Sequence, residues 1–430
     1  MNYDETMEYI HSFYKFGSKL GLTRIERLLK KMGSPEKSIK IIHVAGTNGK
    51  GSVVNILGKI LEEEGYKVGV YTSPYLEYFE ERIKINGESI SKSDLSSLIT
   101  RIKPLIDEVV SEGFDSPTEF EVITAAMFLY YKEKAVDYAV VEVGLGGRFD
   151  ATNVITPILA IITSVSLDHM NILGNTISEI AFEKAGIIKK NVPLCLYPES
   201  REAEAVILKK AAEMEAEVYK VSDEYNFLGI EKSDGKYYQS FSMKIDGQDE
   251  IFTLSLLGQH QIKNCMTAIE AALVLNKMGH SIRLSSVKKG AKNTVHNGRF
   301  EILKDNPKVI IDGAHNMDGV VNLVSSVKKY FRWRKLILIA GILKDKEFEE
   351  MVKQFSSISD RIICLSPKND RALSQQDLKN QFLKEGKDAI CFSDYKEAYE
   401  YGYGLLNKDD ILLIAGSLYM IGEIRKIINS

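Results

Sequence analysis

Two α/β domains, residues 1–296 and 297–430, are the architecture that this sequence predicts. At 430 residues the chain is too long for one ordinary hydrophobic core. Short β-rich runs alternate with helical patterns over most of the length, the mark of parallel strands joined by crossover helices. One stretch, about residues 226–257, departs from that rhythm: its apolar residues alternate with period two and break at SDGK and DGQD, as antiparallel hairpins do.

Taken in order, the N-terminal MNYDETMEYIHSFYKFG is polar and partly acidic, without the basic start and apolar core of a signal peptide. The β-rich runs that follow are IKIIHVAG, YKVGVYTS, DYAVVEVG and ILAIITSVS, then KVIIDGAH, KLILIAGI, DRIICLS, DAICFS and DDILLIAGS. Such nearly continuous apolar strands belong in a sheet covered by helices on both faces. The hairpin stretch reads as a small antiparallel extension of the first domain. A helix with apolar Met266, Ile269, Leu273 and Leu275 comes next, followed by KKGAKNTVHNGRF, a polar segment without helical or strand period. That segment marks the domain boundary, with a hinge near residues 290–300.

Bulk properties exclude several functions. An apolar share of 44% beside 27% charged residues is that of a soluble globular protein. A net charge of -3 supplies no basic excess for a nucleic-acid backbone. The longest uncharged apolar stretch, PILAIITSVSL, falls well short of the roughly 20 residues of a membrane span. Cys195, Cys265, Cys364 and Cys391 are scattered without CxxC spacing, so neither a zinc knuckle nor a disulfide framework is indicated. The expectation is a cytoplasmic monomer that engages small molecules and neither nucleic acid nor membrane.

The strongest local signal is IIHVAGTNGKGSVVNIL: a β-branched run, a turn with Gly46, Gly49, Lys50 and Gly51, and an amphipathic helix opened by Ser52. Glycines let backbone N–H groups approach phosphate oxygens, a lysine adds a mobile cation, and a hydroxyl at the helix start can ligate Mg²⁺. A tight strand-to-helix turn is the plainer alternative. The spacing departs from the common phosphate loop, because only Thr47 and Asn48 separate Gly46 from Gly49, and Gly51 separates Lys50 from Ser52.

Other polar residues stand at strand ends, where ligands collect in open α/β sheets. Glu142 closes DYAVVE, His169 follows ILAIITSVSLD, Lys184 lies in FEKAGI, and KVII runs into DGAHN. Taken alone, each also reads as a structural or solvated group.

The GTNGKGS loop after a strand resembles the ATP loop of the Mur ligase superfamily, specifically of its folylpolyglutamate and dihydrofolate synthase family. TSPYLEYFEERIKING, EVGLGGRFDATN, LDHMNILGNTISEIAFEKAGIIK, GQHQIKN, NGRFE, DGAHN, GILKDKE and AGSLYMIG match that family in the same order and cover nearly the whole chain. The resemblance implies a P-loop ATPase-like N-terminal domain and a Rossmann-like C-terminal domain, both doubly wound. It further implies that the Gly46–Ser52 loop binds ATP, met from the other side by Gln261, Asn264 and Arg299, with Asp312 near the nucleotide. Mg²⁺ is implied at Ser52, Ser73 and Glu142, and a second Mg²⁺ at His169 and Lys184, the lysine being carbamylated. Asp150, Ala151, Asn153 and Phe120 match residues at the pterin, and Arg82 survives in the loop after the second strand. His315 and Ser417 match the pocket for the amino-acid co-substrate.

Four positions depart from the family pattern. Tyr75 replaces a histidine, Glu80 an arginine, Glu119 a second pterin-side aromatic, and Met317 a proline after DGAHN. They bear on the acceptor pocket rather than on the nucleotide loop.

The implied reaction is ATP-dependent amide ligation. A carboxylate resists attack by an amine until the γ-phosphoryl of ATP converts it to an acyl phosphate, which the amine of L-glutamate then displaces. Lys50, Lys184 and His315 are the residues expected at the chemistry, and the acceptor is dihydropteroate or the terminal glutamate of a reduced folate. A muropeptide ligase of the same superfamily is the alternative within this chemistry. A switch or transport ATPase would carry a strict GxxxxGK[ST] and a strand ending in a magnesium-binding aspartate, and neither is present.

Overall fold

Seventeen strands in three sheets organise the chain in a computed structural model, which describes residues 1–16, 21–197 and 200–430. Two compact units result: Met1–Tyr225 with Lys263–Thr294, and Asn226–Ile262 with Val295–Ser430.

The first unit is built on an eight-stranded sheet of order β4-β3-β2-β5-β1-β6-β7-β8. Its strands are β1 (Ile41–Ala45), β2 (Val68–Tyr71), β3 (Ile83–Ile85), β4 (Glu88–Ser89), β5 (Tyr138–Glu142), β6 (Leu159–Ile162), β7 (Leu194–Leu196) and β8 (Val218–Lys220). β1, β2 and β5 to β8 run parallel, while β3 and β4 form an antiparallel edge. Every residue of β1, β2, β5 and β6 is buried, which explains their apolar composition. β1 lies at the centre, and the chain leaves it toward β2 on one side and reaches β6 on the other. The loops after β1, β5 and β6 therefore open at one edge, where an open α/β sheet binds its ligands.

The second unit holds the hairpins β9 (Asn226–Ser233), β10 (Lys236–Ile245) and β11 (Gln248–Leu254), and a six-stranded sheet of order β12-β13-β17-β14-β15-β16. These are β12 (Glu301–Asp305), β13 (Lys308–Asp312), β14 (Leu336–Ala340), β15 (Arg361–Cys364), β16 (Asp388–Cys391) and β17 (Ile411–Ala415), parallel except for β12. All four cysteines are free thiols. No helix among the described residues is long and apolar enough to cross a membrane.

Two sequence expectations are corrected. The hairpin stretch does not extend the first domain, because its side chains belong to the core of the second unit. Phe227 stacks on Tyr330 at 6.0 Å and Tyr237 meets Phe331 edge-on at 5.9 Å. Gln239 is fully buried, with Nε2 donating to the Leu256 and Gly258 carbonyls and Oε1 accepting from the Tyr330 hydroxyl at 2.7 Å. The apparently patternless KKGAKN is helical, the end of Leu284–Asn293. A side chain at Gly290 would come within 2.6 Å of the Ile60 Cα, so the glycine is what lets this helix lie against Lys50–Glu64. Close packing at a small residue leaves no apolar stripe to read.

Trp333, the single tryptophan, packs against the core of the second unit, so its fluorescence reports that unit's unfolding. Gln239→Leu should lower the stability read this way by roughly 2–4 kcal/mol, since it strands a hydroxyl and two carbonyls. An unmoved tryptophan transition would return the hairpins to the first unit.

Candidate active site

β1 ends in a turn that only glycine can make at two places. Gly46 has φ 151° and Gly49 φ 84°, and both abut side chains closely. A Cβ on Gly46 would lie 1.8 Å from Thr163 Oγ1, and one on Gly49 2.3 Å from Asn264 Oδ1. The segment after β6 grips the loop. Thr47 N donates to the Ser164 carbonyl at 2.7 Å, Thr47 Oγ1 to the Ser166 carbonyl at 3.0 Å, and Thr163 Oγ1 to the Asn48 carbonyl at 2.7 Å.

Lys50 opens the helix Lys50–Glu64, whose first turn carries neither an acid nor a side-chain cap. Its uncapped N–H groups and the positive end of the helix dipole suit an anion. Ser52 is buried in that turn. Lys50 Nζ folds back to donate to the Gly46 and Thr47 carbonyls, at 3.1 Å each, and Lys184 Nζ donates to the same Gly46 carbonyl at 2.9 Å. Two amines thus meet on one peptide oxygen beside the helix N-terminus.

Lys184 sits near the end of the helix Ile177–Ala185 and is 3% exposed. Burial lowers its pKa to about 7, Lys50 pushes the same way, and Asp168 opposes them. Asp168 is buried and accepts from the backbone N–H of His169 at 2.8 Å. His169, at φ 51°, is the N-cap residue of Met170–Leu173, and its half-buried ring lies 4.0 Å from the Asp168 carboxylate.

Glu142 ends β5 opposite Val44 of β1 and is 5% exposed, its Oε2 accepting from Ser73 N at 3.2 Å. Ser73 begins the loop after β2, so Glu142 and Ser73 are brought together as expected of a shared site. A carboxylate with serine hydroxyls is a donor set for a hard cation. No group of three His, Cys, Asp or Glu among the described residues could hold a metal by itself.

The loop from Thr72 to Arg82 is closed by its own acid. Glu81 accepts backbone N–H groups from Leu76, Glu77 and Tyr78 at 2.9, 3.1 and 3.0 Å, and Thr72 N bonds the Arg82 carbonyl. At its far end Arg82 is 9% exposed, with its guanidinium over the Tyr75 and Phe79 rings at 5.2 and 5.3 Å. Arg82 faces Glu119 at 3.7 Å, and Glu119 faces His11 at 3.5 Å. Phe120, next in the chain, stacks with Tyr71 and occupies the space that a side chain at Gly144 would take.

Asp150 and Asn153 behave differently from each other. Asp150 is buried, and that burial raises its pKa against hydrogen bonds from Thr152, Leu145 and Gly144. Asn153 donates to the Arg148 and Gly186 carbonyls at 3.0 and 3.1 Å, while its Oδ1 has no partner among the described residues. Ala151, between them, is buried.

In the second unit the ends of β13, β14 and β17 lie side by side, Asp312 and Ala340 each paired with Ala415. Asp312 accepts from Phe300 N and Ala314 N, both at 2.7 Å; burial raises its pKa and Arg299 lowers it. His315 Nδ1 bonds the Gly313 carbonyl at 2.8 Å. Asn316 caps the helix Met317–Tyr330 through Gly319 N. Ser417 is 1% exposed, and its hydroxyl has no partner among the described residues. Gln261 is buried on Gln259–Lys277, one turn before the Asn264 that lies against Gly49.

Sequence reasoning missed Asp168, which tunes Lys184, and the Arg148–Glu183 pair at 2.6 Å that fastens the GGR bend to the helix carrying Lys184. Asp168 had a signal, its place beside His169 in LDHMN. Glu183 had none, since an acid on a helix is usually solvated.

Two family profiles match the chain: "Mur ligase middle domain" over residues 44–272 and "Mur ligase, glutamate ligase domain" over 298–418. A Bacillus subtilis dihydrofolate synthase/folylpolyglutamate synthase is 39% identical over 434 aligned positions, covering 99% of this chain and 98% of that protein. Folylpolyglutamate synthase from Thermotoga maritima has a similar structure, with TM-score 0.85 and 36% identity, covering 100% of this chain and 97% of that one. The Mycobacterium tuberculosis enzyme complexed with ADP and AMPPCP aligns with TM-score 0.90 at 28% identity, covering 100% and 99%.

The buried amine of Lys184 makes stability depend on pH. In the unfolded chain a lysine keeps its proton to about pH 10.5, whereas in the fold this one loses it near 7. Between those values the unfolded state holds the extra proton, so stability rises with pH across the window and the penalty is full below pH 7. Lys184→Met should raise the melting temperature of the first unit by several degrees at pH 6 and by little at pH 10, read by calorimetry. An equal gain at both pH values would show that the buried amine is not the cause.

Proposed function

Because the chain belongs to the Mur ligase family, and within it to the folylpolyglutamate and dihydrofolate synthases, we propose that it joins L-glutamate to a folate-type carboxylate with hydrolysis of ATP. The observation that carries this reading is the meeting of Lys50 and Lys184 on the Gly46 carbonyl at an uncapped helix N-terminus, with Glu142 and Ser73 at the neighbouring strand ends.

The chemistry asks little covalent work of the protein. An acceptor carboxylate oxygen attacks the γ-phosphorus in line, ADP leaves, and the glutamate amine then displaces phosphate from the acyl phosphate, giving up a proton. Loop N–H groups and Lys50 hold the phosphates and offset the charge that develops during transfer. Mg²⁺ accompanying the triphosphate supplies further neutralisation, and Ser52, Ser73 and Glu142 are the residues that would hold it. Lys184, with its amine partly unprotonated near neutrality, fits the requirement for carbamylation by carbon dioxide with loss of a proton, which would make it an oxygen donor to hold a second Mg²⁺ together with His169. His315 and the unpartnered hydroxyl of Ser417 fit the binding of the amino-acid co-substrate. No observation favours a muropeptide acceptor or a nucleotide switch.

Incubation with ATP, Mg²⁺ and L-glutamate should give phosphate release only when dihydropteroate or a reduced folate is added, with the product heavier by one glutamyl unit in mass spectra. Phosphate release indifferent to glutamate would overturn the ligase reading. Lys50→Ala should lower kcat by about 10²–10³-fold with unchanged thermal unfolding, because its ammonium contacts only loop carbonyls in the fold. His315→Ala should raise the KM for glutamate more than that for ATP. Equal increases would remove His315 from the amino-acid pocket.

A further inference from the structure

Arg299 stands between two residues of left-handed backbone, Gly298 at φ 73° and Phe300 at φ 45°. Glycine takes that conformation freely, whereas a bulky aromatic residue is strained in it and stays only where its surroundings hold it. Several restraints do so here. Phe300 is buried, edge-on to Tyr330 at 6.1 Å and stacked on Phe331 at 6.2 Å, and its N–H donates to Asp312 Oδ2 at 2.7 Å. The Gly298 carbonyl accepts from Gly313 N at 2.8 Å, and Gly298 N donates to Glu301 Oε2 at 2.7 Å.

A further restraint comes from far along the chain. Arg425, on the helix Leu418–Asn429, grips the Glu301 carboxylate with two nitrogens, Nη2 donating to Oε1 at 2.8 Å and Nε to Oε2 at 3.0 Å. A fork of this kind fixes direction as well as distance. It aims Glu301 Oε2 at Gly298 N, so Arg425 sets the turn in which Arg299 sits.

The arginine at the centre of these restraints is not itself tied down. Arg299 is half-buried, and its guanidinium makes no hydrogen bond or ion pair among the described residues. It lies over the backbone of Gly313, where an added Cβ would stand 3.1 Å from an Arg299 terminal nitrogen. Buried Asp312 feels its charge without bonding it. Strain that served only to join the turn to β12 would not require an arginine here with its N–H donors unspent.

We propose that Arg425 is a positioning residue for nucleotide use: through the Glu301 carboxylate and the Gly298 N–H it holds the turn that presents Arg299 to the phosphates of ATP. A planar guanidinium held in one direction suits phosphate oxygens, which it can bond in pairs. The inference deepens the ligase reading and rests on it, since within that reading Arg299 matches a residue that meets ATP.

A double-variant cycle on the full chain separates positioning from plain stabilisation. The ratio kcat/KM for ATP is measured at saturating acceptor and L-glutamate for wild type, Arg425→Met, Arg299→Ala and the two changes combined. Arg425→Met alone should lower it at least tenfold, and Arg299→Ala by at least as much. Added to Arg299→Ala, the Arg425 change should cost less than a further threefold, because the side chain it positions is already gone. A further loss of threefold or more would mean that Arg425 acts on the fold at large, and it would overturn the proposal. So would a loss below tenfold from Arg425→Met alone. The KM for glutamate should stay within threefold in Arg425→Met; a larger rise would show that the whole helix behind Ser417 had moved, and would equally overturn it. Should Arg425→Met not fold, as read by Trp333 fluorescence, Arg425→Lys, which keeps the charge and loses the fork, goes through the same cycle with the same limits, and failure of both to fold would make the pair structural and overturn the proposal. Failure of the ligase reading is distinct: wild type itself would then show no phosphate release dependent on acceptor and glutamate.

Discussion

The carbonyl of Gly46 is the point on which the nucleotide end of the first unit depends. It is where the loop after β1 meets Lys50 from its own helix and Lys184 from Ile177–Ala185. Its backbone is held there because Thr163 occupies the space a side chain would need. Burial of Lys184 brings its proton affinity down to near neutrality. Two fully charged ammonium groups on one peptide oxygen in a poorly solvated site would repel strongly. The positive field at the loop is therefore adjustable: Asp168 draws a proton toward Lys184 and Lys50 drives it off.

A second constraint lies in the loop after β2. The segment between β2 and β3 begins at Ser73, against Glu142, and ends at Arg82, against Glu119. Glu81 collects three backbone N–H groups inside it, so the segment folds on itself rather than depending on its neighbours for shape. Ser73 and Arg82, with their partners Glu142 and Glu119, are thus carried on one self-braced loop.

Much of this was legible in the sequence, and what was not has physical reasons. The apolar strands β1, β2, β5 and β6 announced themselves because both faces of the sheet are covered, and the glycines of the loop because only glycine tolerates φ 151° and 84°. β7 and β8, three residues each, and the two-residue β4 were too short to show a period. The hairpins were recognised as hairpins, yet their attachment was misplaced. Gln239 is polar and sits in an alternating strand, and nothing local says that its amide will bond Tyr330, which is 91 residues away in the chain. Lys184 was legible as a family match, but its lowered pKa comes from burial, with Lys50 adding to it and Asp168 opposing it, and only the fold brings these about.

Matching residues by resemblance also merges two roles that the coordinates separate. Asp150 and Asp312 are both buried aspartates at the strand-end edge of a sheet, and both accept hydrogen bonds from backbone N–H groups. Burial raises the pKa of each, opposed at Asp150 first by the Thr152 hydroxyl and at Asp312 first by Arg299, with the backbone N–H groups adding to both. Each therefore ties together the backbone around it, whatever else it contacts. Other buried oxygens nearby, Asn153 Oδ1 and Ser417 Oγ, have no hydrogen-bond partner among the described residues.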